Sequence, residues 1–487
     1  MPDQSQPLGI TSRRTFLERT AALVAATAVA KSSNAEPASS KVNILYIHSH
    51  DSGRYLKPYG HNVPTPNIDR LAHQGVLFRQ MHSAAPTCSP SRASLLTGRC
   101  PHQNGMLGLA HLGWSLNDYS EVIIHPLHAN GYHTVLAGLQ HIAADPATIG
   151  YDEMLAHRSN HAADVTPGAA NFLRARPKEP FFLDVGYFET HREYPEPVDN
   201  PAYIQPPAPI PDTEDTRRDM AGFHASARAL DQGVGAVLEA LEASGLADRT
   251  LVISTTDHGI AFPEMKCNLR DSGTGISLIL RGPGLPNGKV CDAMLSNIDV
   301  FPTILDYLGI DRPAWFEGKS FLPVLKGEQN EINDEVFSEV TFHAAYEPKR
   351  SVRTKRWKYI RHFDGRTTAV LPNCDDGPSK SYWLDHGWKN EPLISREELY
   401  DLVFDPIEHN NLANETRASG TLAQMRGRLD GWMQRTSDPL LRGPVPLVPG
   451  GHIVDPNAIS PKEMNRYAPR PSTGESIRPC SRVLALS

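Results

Sequence analysis

Short apolar runs that alternate with helical periodicity constrain the fold of this chain more than any other feature. Val42-Asn43-Ile44-Leu45-Tyr46-Ile47-His48 is a brief, near-continuous apolar run with a turn after it, and reads as a strand buried on both faces. A helix is expected near Asn67 to Gln74. Further strands are expected near Val76 to Met81, His133 to Ala137, Phe181 to Tyr187, Leu251 to Thr256 and Ile276 to Leu280. From Asp219 to Ser244, the residues Phe223, Ala227, Leu230, Val234, Leu238 and Leu241 recur at spacings of three and four, the pattern of one buried helix face. This alternation predicts an α/β fold, a three-layer sandwich around a mostly parallel central sheet.

In open parallel sheets, ligands collect beyond the C-terminal ends of the strands. His50, Asp51, Ser52 and Gly53 follow the first strand, and Asp257 and His258 follow Leu251 to Thr256. If those strands are neighbours, the two polar pairs meet and offer hard and intermediate ligands to one divalent cation. Turn-capping residues at strand ends are the plainer alternative.

Cys88-Ser89-Pro90-Ser91-Arg92-Ala93-Ser94-Leu95-Leu96-Thr97-Gly98 opens a short helix. Pro90 suits a first turn, which needs no N–H there. Ser89 is a fair N-cap, and Leu95 and Leu96 turn the following residues inward. Cys88 then sits at a positive helix end that favours a thiolate or an anionic ligand. Arg92, one turn on, reaches back toward Cys88 or toward the carboxylates. A buried free cysteine beside a capping serine is the alternative.

Cys-x-Pro-Ser-Arg-x-x-Leu-Leu-Thr-Gly resembles the signature of the type I sulfatase family. The resemblance implies an alkaline phosphatase-like sandwich with a smaller α+β C-terminal domain. It implies that a maturation enzyme oxidises Cys88 to formylglycine, whose aldehyde hydrate is the nucleophile. It implies one divalent cation, calcium in most of the family, held by Asp51, Asp257 and His258. His50 stands where the family has an aspartate, which leaves manganese or zinc open. Gly138-Leu139-Gln140-His141 resembles the family's Gly-Lys-x-His segment, with Leu139 in place of the lysine. By the same resemblance Arg92, His141, His191 and Lys266 surround the sulfate, and His191 or Lys266 protonates the departing group. Phrases such as His102-Gln103-Asn104-Gly105-Met106, Asp231-Gln232-Gly233-Val234-Gly235 and Gly431-Trp432 resemble the N-sulfoglucosamine sulfohydrolase branch. That branch implies a sulfated carbohydrate as substrate. His102, Asn104, His343 and Arg350 are the expected sugar contacts, the last two reaching over the pocket mouth from the second domain.

The N-terminus carries Arg13-Arg14, an alanine-rich run from Ala21 to Ala30 and small residues at Ser33-Asn34-Ala35. This pattern reads as a Tat-type export signal over residues 1–35, implying the Tat machinery as partner and a periplasmic or secreted protein. The apolar run is far short of the ~20 residues a membrane span needs and ends in Lys31, so no stable anchor is expected. A catalytic domain is expected over 36–330 and an α+β domain over 331–442, where Ser351 to Thr354 and Trp357 to Arg361 read as antiparallel strands and Thr421 to Thr436 as a packing helix. The Pro- and Gly-rich tail, 443–487, is expected to wrap over the surface. The segment near 192 to 216, rich in Pro, Glu and Asp, is expected to be a surface excursion near the active edge.

A formal charge of −7 on 487 residues gives no reason to expect nucleic acid as a partner. Six cysteines without Cys-x-x-Cys spacing argue against a structural zinc site or a disulfide framework. The reading is a sulfatase acting on sulfate esters or sulfamates of a carbohydrate. Its rivals are a phosphate or phosphonate monoester hydrolase on the same fold, which His50 and His258 would suit, and a degenerate carbohydrate-binding pseudo-sulfatase, which Leu139 suggests.

Overall fold

A computed structural model describes residues 41–392 and 394–463; the twin-arginine segment and the end of the tail lie outside the described residues. From Lys41 onward the chain forms one unit built on an eight-stranded sheet. Its spatial order is Lys289–Cys291, Val76–Phe78, Leu278–Arg281, Thr250–Thr256, Asn43–Ser49, Phe181–Gly186, His133–Gly138 and Glu153–Leu155. Leu278–Arg281 runs antiparallel to both its neighbours, and the other pairings are parallel.

The first strand lies at the centre because it can be buried on both faces. Ile44 and Tyr46 join one apolar cluster, while Leu45 and Ile47 join the other. On the second face the 30-residue helix Glu214–Ala243 lays Leu230, Val234, Val237, Leu238 and Leu241 against the sheet. Thr213 starts it with a reciprocal side-chain cap to Thr216. On the first face, Leu95 and Leu96 of the helix Cys88–Thr97 pack with Val300, Phe301 and Ile304 of Val300–Leu308.

Two expected strands are each interrupted. Val76–Phe78 is followed by a separate strand Met81–His82, and Gly275–Ile276 is separated from Leu278–Arg281. Both chains leave the main sheet together, because Met81 and His82 pair with Ile276 and Gly275 in a small second sheet with Leu295–Ser296.

A four-stranded antiparallel sheet follows: Val336–Phe342, Tyr346–Arg353, Trp357–His362 and Glu397–Asp401. The helix Ser419–Arg435 covers it with Leu422, Met425, Leu429 and Trp432. This sheet docks beside the segment that precedes Cys88, where Ser338 Oγ donates to Ser83 O (2.6 Å) and Glu339 N to Ala84 O (2.9 Å). Of the tail, residues 443–463 are described; His452 N donates to Leu112 O and Val454 N to Ala344 O. Between 192 and 213 the backbone is irregular apart from one short turn at Pro201–Tyr203. No described helix is long and apolar enough to cross a membrane. The five described cysteines are free.

Candidate active site

Ser49 pairs in register with Thr256, so the residues after each strand emerge side by side. The first chain then turns sharply, with Asp51 at φ 48° and Gly53 at φ 52°, the left-handed region. Asp51 N donates to Asp257 Oδ1 (2.9 Å) and Gly53 N to His258 O (2.8 Å), locking one strand end to the other. Four side chains thereby converge. His50 Nδ1 lies 3.1 Å from Asp257 Oδ2, and His258 Nε2 lies 3.3 Å from Asp51 Oδ1 and 3.7 Å from Asp257 Oδ2. All four are buried.

His258 Nδ1 donates to Gly259 O (2.9 Å), so Nε2 presents a lone pair to two carboxylate oxygens. Acceptor faces acceptor. Among the described residues, both ring nitrogens of His50 and Oδ1 of Asp51 lack an aligned hydrogen-bond partner, although all are buried. Burial without partners is costly. A cation shared by these atoms removes the cost, and His50, Asp51, Cys88 and Asp257 present ligand atoms within 4.8 Å of one another. The donor set therefore fits a divalent metal ion.

Cys88 is the first residue of its helix, and Thr87, not Ser89, is the N-cap residue. Ser89 lies within the first turn, its hydroxyl accepting from Ala110 N (3.0 Å). Cys88 Sγ is 3.4 Å from His258 Nε2. Burial pushes the thiol well above its usual range; Lys266 opposes this and Asp51 and Asp257 add to it. The expected thiolate is thus overridden by desolvation and two neighbouring carboxylates.

Arg92 returns to the carboxylates. Its Nη2 donates to Asp257 Oδ2 (3.0 Å) and Ser49 O (2.7 Å), and its Nη1 to His48 Nδ1 (2.5 Å). His48 Nε2–H then meets Asp184 Oδ1 (2.8 Å), whose other oxygen accepts from Tyr151 (2.5 Å). Sequence reasoning missed this supporting chain because His48 and Asp184 lie inside strands that read as core.

Lys266 Nζ is completely enclosed, 2.9 Å from Asp51 Oδ2, 2.7 Å from Asp375 Oδ2 and 3.3 Å from His191 Nε2. Burial would lower its pKa, but Asp375 and Asp51 hold the ammonium well above its ordinary value. His191 Nδ1 donates to Arg192 O (2.5 Å), which leaves Nε2 facing Lys266. Asp375, more than a hundred residues along the chain from Lys266, carried no local signal.

His141 stands at φ 58° in a turn held by Gln140, whose Oε1 accepts from Ile142 N and Ala143 N. Its ring lies 5.6 Å from that of His50, and its Nε2 is 3.0 Å from Nδ1 of the exposed His111, another residue not foreseen. His343 lies close enough to the cluster that burial first, and then Lys266, push its pKa down to about 3. The other three expected sugar contacts are not brought there. Arg350 is fully buried, donating to both oxygens of Asp438 (2.6 and 3.1 Å) and pairing with Glu339 (3.0 Å). His102 Nδ1 bonds Glu339 Oε1 (2.9 Å) in the same network, and Asn104 bonds Thr97, Arg99 and Met106. The side chains of all three are buried and spent on these contacts.

A mostly parallel sheet with buried groups able to hold a metal at its C-terminal edge, beside the first residue of a helix, is an alkaline phosphatase-like arrangement. The chain belongs to the sulfatase family: residues 42–310 match the description Sulfatase, and residues 266–384 match N-sulphoglucosamine sulphohydrolase, C-terminal. It is 29% identical to the human N-sulphoglucosamine sulphohydrolase, over 82% of this chain and 92% of that one. It is also 29% identical to an ulvan-active sulfatase of Formosa agariphila, over 89% and 87%. A solved 2-O GAG sulfatase superposes with a TM-score of 0.65 at 23% identity, over 82% and 94%.

Proposed function

We propose that this protein hydrolyses sulfate esters or sulfamates of a carbohydrate, with position 88 as the nucleophile. The observation that carries the reading is the set of buried groups placed directly beside Cys88, in which His258 Nε2 faces two carboxylate oxygens and both ring nitrogens of His50 and Oδ1 of Asp51 lack an aligned partner. Burial pushes the Cys88 thiol up, which disfavours the thiolate that would act as a sulfur nucleophile. Formylglycine at that position would supply, as its aldehyde hydrate, an oxygen nucleophile. A cation held by Asp51, Asp257, His258 and His50 would supply Lewis-acid stabilisation of negative oxygen. Calcium is the metal the family resemblance favours, and the two imidazoles keep manganese and zinc in the test.

The chain's own residues have separable tasks. Arg92 fixes the Asp257 carboxylate and is itself aimed by His48 and Asp184. Lys266 neutralises Asp51 and presents an ammonium to an anionic group. Lys266 Nζ is the proton-bearing group for the departing atom, with His191 Nε2 at 3.3 Å able to relay its proton, and His141 Nδ1, buried and without an aligned partner, is placed to accept a proton. The matched C-terminal description and the human relative support a glycosaminoglycan-type sugar. Tat export to the periplasm or beyond, after oxidation of Cys88 by a maturation enzyme, completes the proposal.

Mass spectrometry of the peptide containing residue 88, in enzyme that releases sulfate from defined sulfated oligosaccharides, is the test. A loss of sulfur at that residue is expected. An unmodified thiol in fully active enzyme would refute the proposal.

A further inference from the structure

Asp375 is a carboxylate in a place that should repel the substrate. Its Oδ2 touches Lys266 Nζ at 2.7 Å, yet Lys266 is already neutralised by Asp51 at 2.9 Å. Asp51, His191 and Asp375 present atoms within 4.8 Å of one another, and the Lys266 ammonium occupies the position a second cation would take. A further negative charge here weakens the attraction for any sulfo group.

The position is nevertheless rigidly built. Asn373 Oδ1 accepts from Ala345 N (2.8 Å) and its Nδ2 donates to Glu347 (2.8 Å). Lys380 Nζ donates to Cys374 O (2.7 Å) and Asp376 (2.8 Å). Gly377 backs directly onto the Arg192 guanidinium, which Asp219 holds with two bonds of 2.6 and 2.7 Å; a Cβ at 377 would lie 2.2 Å from Arg192 Nη1. The backbone on both sides of Asp375 is thereby held in place. Its side chain keeps 17% exposure while that of Asp51 has none, so it borders the open side of the cluster. Burial would raise its pKa, but Lys266 and then His191 hold it below the usual carboxylate range.

The two leaving groups open to this enzyme differ in what they require at that spot. In a sulfate ester the bridging oxygen carries no hydrogen and becomes negative as the S–O bond breaks, which a carboxylate disfavours. In a sulfamate the bridging nitrogen carries an N–H. Protonation of that nitrogen places positive charge on it beside His191 and Lys266. When the S–N bond then breaks, the pair stays on nitrogen and leaves a neutral amine, which takes a second proton. The balanced hydrolysis is R–NH–SO3⁻ plus water giving R–NH3⁺ and SO4²⁻, both protons coming from the water.

We propose that Asp375 is a specificity-determining residue that accepts a hydrogen bond from the scissile N–H and favours nitrogen over oxygen as the leaving atom. This rests on the sulfatase reading above and names the bond that the site prefers. The test uses the full mature enzyme, its Asp375→Asn variant, and three probes: N-sulfo-D-glucosamine, D-glucosamine 6-O-sulfate and 4-nitrophenyl sulfate. In the variant, kcat/KM for the N-sulfo sugar is expected to fall about 100-fold while the two O-sulfates change less than about fivefold. An equal fall on all three probes would show that Asp375 acts only through Lys266, and overturns the proposal. So does a wild-type enzyme that cleaves the O-sulfates but not the N-sulfo sugar, an outcome that leaves the sulfatase reading standing. Release of sulfate from none of the probes brings down both. If the Asn variant does not fold, Asp375→Glu keeps the charge but displaces the carboxylate. The N-to-O ratio is then expected to drop about tenfold, and an unchanged ratio overturns the proposal.

Discussion

Two buried clusters of charge lie on either side of the residues that precede Cys88, and they are built on opposite principles. In the first, Lys266 and Arg92 each answer one oxygen, of Asp51 and Asp257 respectively, while His258 Nε2 faces carboxylate oxygens and both ring nitrogens of His50 and Oδ1 of Asp51 lack an aligned partner. In the second, His102, Glu339, Asp438 and Arg350 meet with every carboxylate answered by a cation. Cys100, His102 and Glu339 also present ligand atoms close together, yet Arg350 already occupies the charge a metal would bring. A buried cluster whose charged atoms are all paired holds a fold together, whereas one that leaves ring nitrogens and a carboxylate oxygen without partners around one point fits a ligand.

The sharpest break of this contrast is at the nucleophile. Cys88→Ala removes a side chain of the open cluster and is expected to cut sulfate release about 10⁴-fold, with little change in thermal stability. Activity within tenfold of the parent would end the proposed role of Cys88. Next comes Arg350→Met in the closed cluster, which leaves Glu339 and Asp438 buried without their partner. It is expected to cost about 3–5 kcal/mol in urea unfolding while metal content of the folded fraction is unchanged. Lost metal with unchanged stability would reverse the two assignments.

Metal removal gives a smaller effect that only the open cluster should show. Calcium at a hundredfold excess over its Kd is expected to stabilise the chelated protein by about 2.7 kcal/mol, seen as a rise in Tm that Asp257→Asn abolishes. No rise with calcium, manganese or zinc would count against the site. The smallest effect is a pH dependence in the closed cluster. Burial would lower the His102 pKa, but Glu339 raises it above 6.5. The folded state then binds the proton more tightly than the unfolded one, so the stabilisation is full below pH 6.5 and fades as pH rises through the folded value. His102→Gln should flatten the stability profile above pH 6.5, and an unaltered slope would show that His102 is not protonated in the fold.

Much of this contrast was legible from the chain alone, and the illegible part has a common cause. His50, Asp51, Asp257 and His258 could be read as neighbours because parallel pairing of two buried strands leaves little choice of where their ends emerge. The interrupted strands at Met81 and Ile276 could not be read, since each apolar run continues unbroken while the chain changes sheets. His102 and Arg350 read as exposed polar residues free for a sugar, but Asp438, far along the chain, draws them inward.

What the sequence determined by itself is the layered α/β architecture, through apolar periodicity, and the family chemistry, through the residues from Cys88 to Gly98 and the strand-end pairs. Those signals are local, and local spacing survives in the one-dimensional chain. Only the tertiary structure decided which buried polar atoms are paired and which are left without partners, that burial pushes the Cys88 thiol up, and that Asp375 stands against Lys266. These depend on burial and on partners brought together from distant parts of the chain, and the energy of a buried charge is set by what surrounds it in space.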